Sequence, residues 1–187
     1  MKSGRRGADG ASPVVLHERR LSVVQVHALK NQKEALASAF TSGLRLALPS
    51  AGHANFREEL TAVWIQPGTW LVAAPFTGPD DLTRRLTDAA AGTAAITDQT
   101  FGKSVLRLYG PHARDVLAKG CRVDLHPREF GPGRSAVTPL GQIGCVLIQV
   151  DDRPAYDLIV PATFARAAVE WLETAAAEFG LEVHAQR

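Results

Sequence analysis

Little in this chain of 187 residues supports the common enzyme chemistries. There are two cysteines, Cys121 and Cys145, and one methionine. With no paired spacing, the two thiols exclude a disulfide framework and fit a reducing cytoplasm. No G-x-G-x-x-G and no Walker A stretch occurs, which removes the dinucleotide and P-loop readings. No G-x-S-x-G occurs either, so the nucleophile elbow of α/β-hydrolases is absent. The six histidines, His17, His27, His53, His112, His126 and His184, form no H-x-x-x-H or H-x-H pair. A zinc site built from this set is not expected. No apolar run approaches the ~20 residues of a membrane-spanning helix.

Charge of one sign is also missing. The formal net charge is +2, from 21 basic and 19 acidic residues. Lys2, Arg5 and Arg6 against Asp9 place that whole surplus in the first ten residues, and the body is balanced. Neither nucleic acid nor a membrane surface is therefore an expected partner. The opening MKSGRRGADGASP is polar, lacks the apolar segment of a secretory signal, and is expected to be a disordered tail over residues 1–13.

What is present is an alternation of strand and helix patterns. LSVVQVHAL (21–29) reads as a strand, NQKEALASAF (31–40) as a helix capped by Asn31, and RLAL (45–48) as a short strand. PSAGHANFREE (49–59) reads as a loop. LTAVWIQPGTWLVAAP (60–75) reads as a hairpin, with Pro67-Gly68 suited to a type II turn. PDDLTRRLTDAAAG (79–92) reads as a helix stopped by Gly92, and TAAITDQT (93–100) as a strand. The later half repeats that order. It has a strand at 104–110, a helix at 111–120, a loop at 126–134, and strands at 135–140, 142–150 and 155–160. A long helix over 161–180 and a strand at 181–185 end the chain. Phe164, Ala168, Trp171, Leu172, Ala175 and Phe179 form the apolar stripe of that helix. The first strands begin at 21 and 104 and the last helices near 79 and 162, an offset of 83 residues in both cases.

The expected fold class is α+β: two related split-βαβ lobes with mixed or antiparallel sheets. The expected boundaries are 14–100 for the N-terminal lobe and 101–187 for the C-terminal lobe.

Candidate chemistry can be weighed residue by residue. Cys145 lies in an apolar strand and is expected to be an inert core thiol. Cys121 follows Lys119 at a helix end, where the dipole opposes a thiolate and Lys119 favours it. Asp80-Asp81 reads as a helix start, Asp151-Asp152 as a hairpin turn and Glu58-Glu59 as a solvated approach to a strand. Gly110-Pro111 either presents backbone N–H groups to an anion or simply starts a helix. No catalytic, cofactor-binding or metal-ligating residue is assigned from these patterns. The loop 123–134, with Leu125, His126 and Phe130, is the expected partner-facing segment.

Two blocks carry a resemblance. TDQTFGKSVLRLYGPHARDVLAKGCRVDLHPREFGPG and TPLGQIGCVLIQVDDRPAYDLIVPATFARAAVEWLETAAAEFG, with the paired-Trp hairpin WIQPGTWLVAAP, closely resemble the gamma subunit of heterotetrameric sarcosine oxidase. The resemblance spans roughly residues 60–180. It implies a complex with alpha, beta and delta subunits that oxidatively demethylates sarcosine to glycine. It also implies that FAD, covalent FMN and NAD belong to alpha and beta, that zinc belongs to delta, and that the formaldehyde passes to tetrahydrofolate. Gamma is implied to scaffold, without a redox group of its own.

More distantly, the chain is similar to the folate-binding fold of glycine-cleavage aminomethyltransferase. That family carries Gly-Gly-x-x-Asp-Asp on the strand after the loop. Here the matching stretch is Gly144-Cys145-Val146-Leu147-Ile148, without a carboxylate. Lys119-Gly120-Cys121 matches the start of the Lys-Gly-Cys-Tyr-x-Gly-Gln-Glu motif of the folate-dependent iron–sulfur maintenance protein, but the following residues do not continue it. A stand-alone folate-binding aminomethyltransferase-like or iron–sulfur maintenance protein is the alternative expectation.

Overall fold

Leu36, Phe40 and Leu44 recur at four-residue spacing and are buried, and so do Leu82, Leu86 and Ala90. Each set lies on one stripe of a helix, and each helix lies against a sheet whose strands alternate in the same sense. The computed structural model describes residues 3–8 and 12–184. It divides into two units, one of Arg20–Phe101 and one that joins the segment up to Arg19 to Gly102 and beyond.

In the Arg20–Phe101 unit, five strands flank two helices. In chain order these are β3 (Leu21–Ala28), α1 (Lys33–Leu44), β4 (Ala54–Arg57), β5 (Leu60–Gln66), β6 (Thr69–Pro75), α2 (Asp81–Ala90) and β7 (Ala94–Asp98). The sheet order is β4-β5-β6-β3-β7, antiparallel throughout. Gly68 at φ 71° supplies the left-handed turn residue that joins β5 to β6. Val24, Val26, Val72 and Trp70 face the helices and pack with Leu36, Phe40 and Leu86. Burial of such a Leu or Phe contributes about 1.5–3 kcal/mol. The Trp70 indole N–H donates to the Pro49 carbonyl at 2.8 Å, so its polar atom is satisfied inside the core.

Three expectations for this unit need correction. Asn31 does not cap α1; it sits at φ 62°, and Gln32 occupies the cap position. Residues 45–48 form no strand, because Arg45 at φ 54° ends α1 in a left-handed turn whose N–H returns to the Phe40 carbonyl. The strand instead lies later, at β4, inside the expected loop.

The second unit holds β1 (Gly4–Arg6), β2 (Val14–Arg19), β8 (Lys103–Tyr109), α3 (Ala113–Ala118), β9 (Ser135–Leu140), β10 (Ile143–Asp151), β11 (Ala155–Pro161), α4 (Ala165–Ala175) and β12 (Leu181–His184). Its seven strands run β1-β12-β2-β8-β11-β10-β9. Leu106, Leu108, Leu147, Tyr156, Leu158 and Val160 face α3 and α4. Phe164 is 52% exposed and drops out of the expected apolar stripe, because a 3₁₀ turn over Ala162–Phe164 precedes α4.

The two sheets share a topology. Both follow β-α-β-β-β-α-β in the chain, and β9-β10-β11-β8 repeats the order β4-β5-β6-β3. The difference lies next to the fourth strand. In one sheet β7 pairs directly with β3; in the other, β2 is inserted between β8 and β12, parallel to β12. Val14–Arg19, expected within a lobe of 14–100, is therefore a strand of the other sheet. β1 then adds to β12, and the Ala8 N–H donates to the Ala177 carbonyl at 3.0 Å. The expected disordered tail is thus ordered over residues 3–8, while residues 1–2 and 9–11 of that expectation lie outside the described residues.

Candidate functional site

The Gly110-Pro111 corner opens the helical face of the seven-stranded sheet. Gly110 has φ 121°, and a Cβ there would lie 3.1 Å from the Pro13 carbonyl oxygen, so only glycine fits. Its N–H donates to the Pro154 carbonyl at 3.1 Å, and its carbonyl accepts the Ala113 N–H at 3.0 Å. The donor that would greet an anion is already engaged, and α3 has only six residues. The corner turns the chain.

A cavity of about 730 Å³ lies beside it, lined by Arg107, Tyr109, Val150, Asp151 and Arg153 among others. Its charges are committed to one another. Arg107 holds Asp157 in a bidentate pair at 2.7 and 2.8 Å, and Arg19 donates to the same carboxylate at 2.7 Å. Asp157 is 4% exposed, and its two carboxylate oxygens are occupied by these two guanidiniums. Asp151 accepts from the Arg153 backbone N–H and guanidinium, both at 3.2 Å. These bonds hold its carboxyl below the usual carboxylate range. General acid–base chemistry at neutral pH needs a raised carboxyl or a free imidazole, and neither lines this cavity.

The stretch 144–148 runs along β10 with Cys145 and Leu147 turned to the core. Burial pushes the Cys145 thiol up to about 12, so it remains protonated. Cys121 is half-buried and bridges to Leu140 at the sheet edge. Among the described residues, no three of His, Cys, Asp and Glu converge as a metal-binding group. His112 pairs with Asp115 at 3.0 Å and its ring stacks on Phe179 at 4.4 Å; Asp80 and Asp81 lie at the start of α2.

The loop expected to face a partner behaves differently. Phe130 is 3% exposed and stacks against Tyr156 with 6.5 Å between ring centres. The His126 carbonyl accepts the N–H groups of both Glu129 and Phe130 at 2.9 Å, a tight turn that drives the ring inward. Phe130 is core, not interface. Among the exposed aromatics of the described residues, Phe101 is the most exposed, at 80%. It meets Phe76 edge-on at 6.4 Å, and the Arg20 guanidinium lies 4.5 Å over the Phe76 ring. Sequence periodicity passed over this patch, because Arg20, Phe76 and Phe101 are far apart in the chain and meet at one end of the five-stranded sheet.

Comparison with known proteins decides the relationship. Residues 30–178 match the family described as sarcosine oxidase, gamma subunit family. This chain belongs to the sarcosine oxidase gamma subunit family. The sarcosine oxidase subunit gamma of Corynebacterium sp. (strain U-96) is 33% identical over 150 residues, covering 78% of this chain and 69% of that one. The corresponding subunit of an Arthrobacter species is 34% identical over 147 residues, covering 78% and 70%. Among solved structures, the heterotetrameric sarcosine oxidase from Corynebacterium sp. U-96, in complex with pyrrole 2-carboxylate, contains a chain similar to this one. The TM-score is 0.77 at 31% identity, over 89% of this chain and 85% of that one. The glycine cleavage system aminomethyltransferase T from Bartonella henselae gives a TM-score of 0.67 at 16% identity, over 95% of this chain and 48% of that one. That likeness is one of fold. No helix among the described residues is long and apolar enough to cross a membrane.

Proposed function

We propose that this chain is the non-catalytic gamma subunit of a heterotetrameric oxidase that demethylates sarcosine to glycine in the cytoplasm, assembled with alpha, beta and delta subunits. The observation that carries the reading is the family match over residues 30–178. The geometry supports a scaffolding role. Asp151, the acid lining the cavity, is paired with Arg153, Arg107 there is committed to Asp157, and the stretch 144–148, where a folate-handling acid would lie, has no carboxylate.

The residues do not fit the groups such a complex uses. The sequence holds no G-x-G-x-x-G turn to cradle the pyrophosphate of FAD or NAD, and the stretch 144–148 offers tetrahydrofolate no carboxylate. FAD, FMN and NAD are assigned to alpha and beta, and zinc to delta. The aminomethyltransferase likeness is one of fold and does not by itself favour a free-standing folate enzyme.

Co-expression with the neighbouring genes tests the reading. The chain is expected to co-purify stoichiometrically with three partners. Alone it is expected to be colourless and to consume no oxygen with sarcosine. A flavin bound to the isolated chain, or turnover without the other subunits, overturns the proposal.

A further inference from the structure

We infer that the outer edge of β7 is the docking site for an extended strand contributed by another subunit of the complex; this rests on the assembly proposed above. The register shows which backbone groups are available. Gln99 donates to the Val23 carbonyl and Leu29 to the Thr93 carbonyl, so the hydrogen-bonded pairs with β3 involve residues 93, 95, 97 and 99. In an antiparallel ladder the alternate residues point their N–H and C=O groups the other way. Those residues are Ala94, Ile96 and Asp98, and among the described residues β7 has β3 as its single neighbour in the sheet.

The other sheet edges are protected by ordinary devices. β1 is three residues long and carries two arginines. β9 contains Pro139, and Cys121 bridges to it at Leu140. β4 is four residues long, and Asn55 within it donates to the Ala47 carbonyl at 2.8 Å, which ties the preceding loop to it. β7 reads Ala-Ala-Ile-Thr-Asp, with no lysine, arginine or proline. A bare edge of that composition invites a strand.

The chain itself shows how the corresponding position is filled. In the seven-stranded sheet, the strand beside β8 does not end the sheet: β12 adds to it in parallel and β1 adds beyond. The five-stranded sheet stops at the equivalent place. The faces of β7 define the chemistry of the added strand. Ala94 and Ile96 are half-buried against the helical core, while Ala95 and Thr97 are exposed. An added strand continues that pattern with alternate apolar residues toward the helices and polar ones away, the recognition mode of strand addition.

Amide hydrogen exchange on the full chain and on the assembled complex, read residue by residue by fragmentation mass spectrometry, tests the inference. The amides of Ala94, Ile96 and Asp98 are expected to exchange freely in the isolated chain and at least tenfold more slowly in the complex. Those of Ala95 and Thr97 are expected to be protected in both. Ala94→Pro removes one outward donor at the first residue of the strand, where proline is tolerated. It is expected to keep the circular dichroism and thermal midpoint of the isolated chain while lowering its recovery with the partners several-fold. If the complex forms but the three amides exchange unchanged, the docking inference is wrong and the assembly reading stands. Protection of the same amides in a self-associated isolated chain assigns the edge to a second copy and overturns it too. Failure to recover any complex overturns both.

Discussion

Arg107 and Arg19 converge on a single carboxylate, that of Asp157, from the two strands nearest its own on one side of the sheet. Arg107 lies directly opposite Asp157 in the β8–β11 register, and His17 lies opposite Arg107 in the β2–β8 register. The triad therefore spans three strands and ties the inserted β2 to the duplicated core. Asp157→Ala leaves two guanidiniums without their counter-charge. Removing one partner of a buried pair costs about 3–5 kcal/mol. The arginines are about a quarter exposed, which places the loss toward the lower end. Denaturant unfolding checks it. Adding Arg107→Leu and Arg19→Leu to Asp157→Ala is expected to recover part of the loss, because the uncompensated charges go too.

Trp171 depends on two glycines. A Cβ on Gly120 would sit 2.3 Å from the indole Cζ2 and 2.9 Å from the Gly141 backbone nitrogen. The backbone has no room to yield, so Gly120→Ala forces the Trp171 ring off its site. Overpacking of this kind costs about 1–3 kcal/mol. Trp171→Leu in the Gly120→Ala background is expected to restore part of the stability. A thermal midpoint that is unchanged in Gly120→Ala refutes the packing account.

The duplicated order of strands and helices was legible because each element carries its own period: Leu36-Phe40-Leu44 in one helix, alternate Leu106 and Leu108 in a strand. Non-local pairing was not. Nothing in Val14–Arg19 says that it pairs with β8 and β12 at the far end of the chain rather than with the neighbouring lobe. Gly4–Arg6 reads as tail because its partner, Leu181–Val183, is at the other terminus. Phe130 misled for a related reason. Its flanking glycines and prolines mark a loop, yet the direction a loop aromatic takes is decided by the core it reaches, here Tyr156.

Cys145 gives a pH prediction with a definite sign. Burial raises its thiol from 9.0 to about 12. The folded state therefore holds the proton more tightly than the unfolded state. The associated stability is fully present below about pH 9 and is lost as the pH climbs toward 12. Cys145→Ala is expected to flatten that alkaline loss while costing some packing at neutral pH. Thiol titration at pH 8 is expected to count one reactive group, Cys121, in the native chain and two after unfolding. Two fast groups in the native chain contradict the burial of Cys145.

Phe101 and Phe130 form the last contrast, because both lie outside the strands and helices yet differ in burial. Phe101 is 80% exposed and Phe130 is 3% exposed. Phe101→Ala removes surface that already faces solvent, so the stability of the isolated chain is expected to change by less than about 0.5 kcal/mol. An exposed aromatic beside Phe76, with the Arg20 guanidinium over that ring, is nonetheless well suited to anchor a partner. Recovery of Phe101→Ala with the other subunits is expected to fall, equivalent to more than about 1 kcal/mol of binding. Phe130→Ala empties a site against Tyr156 and is expected to cost about 3–5 kcal/mol of stability. Chemical denaturation of both variants beside a quantitative pull-down separates the two effects. A Phe101→Ala chain that assembles like the parent removes this aromatic from the interface, whatever strand β7 accepts.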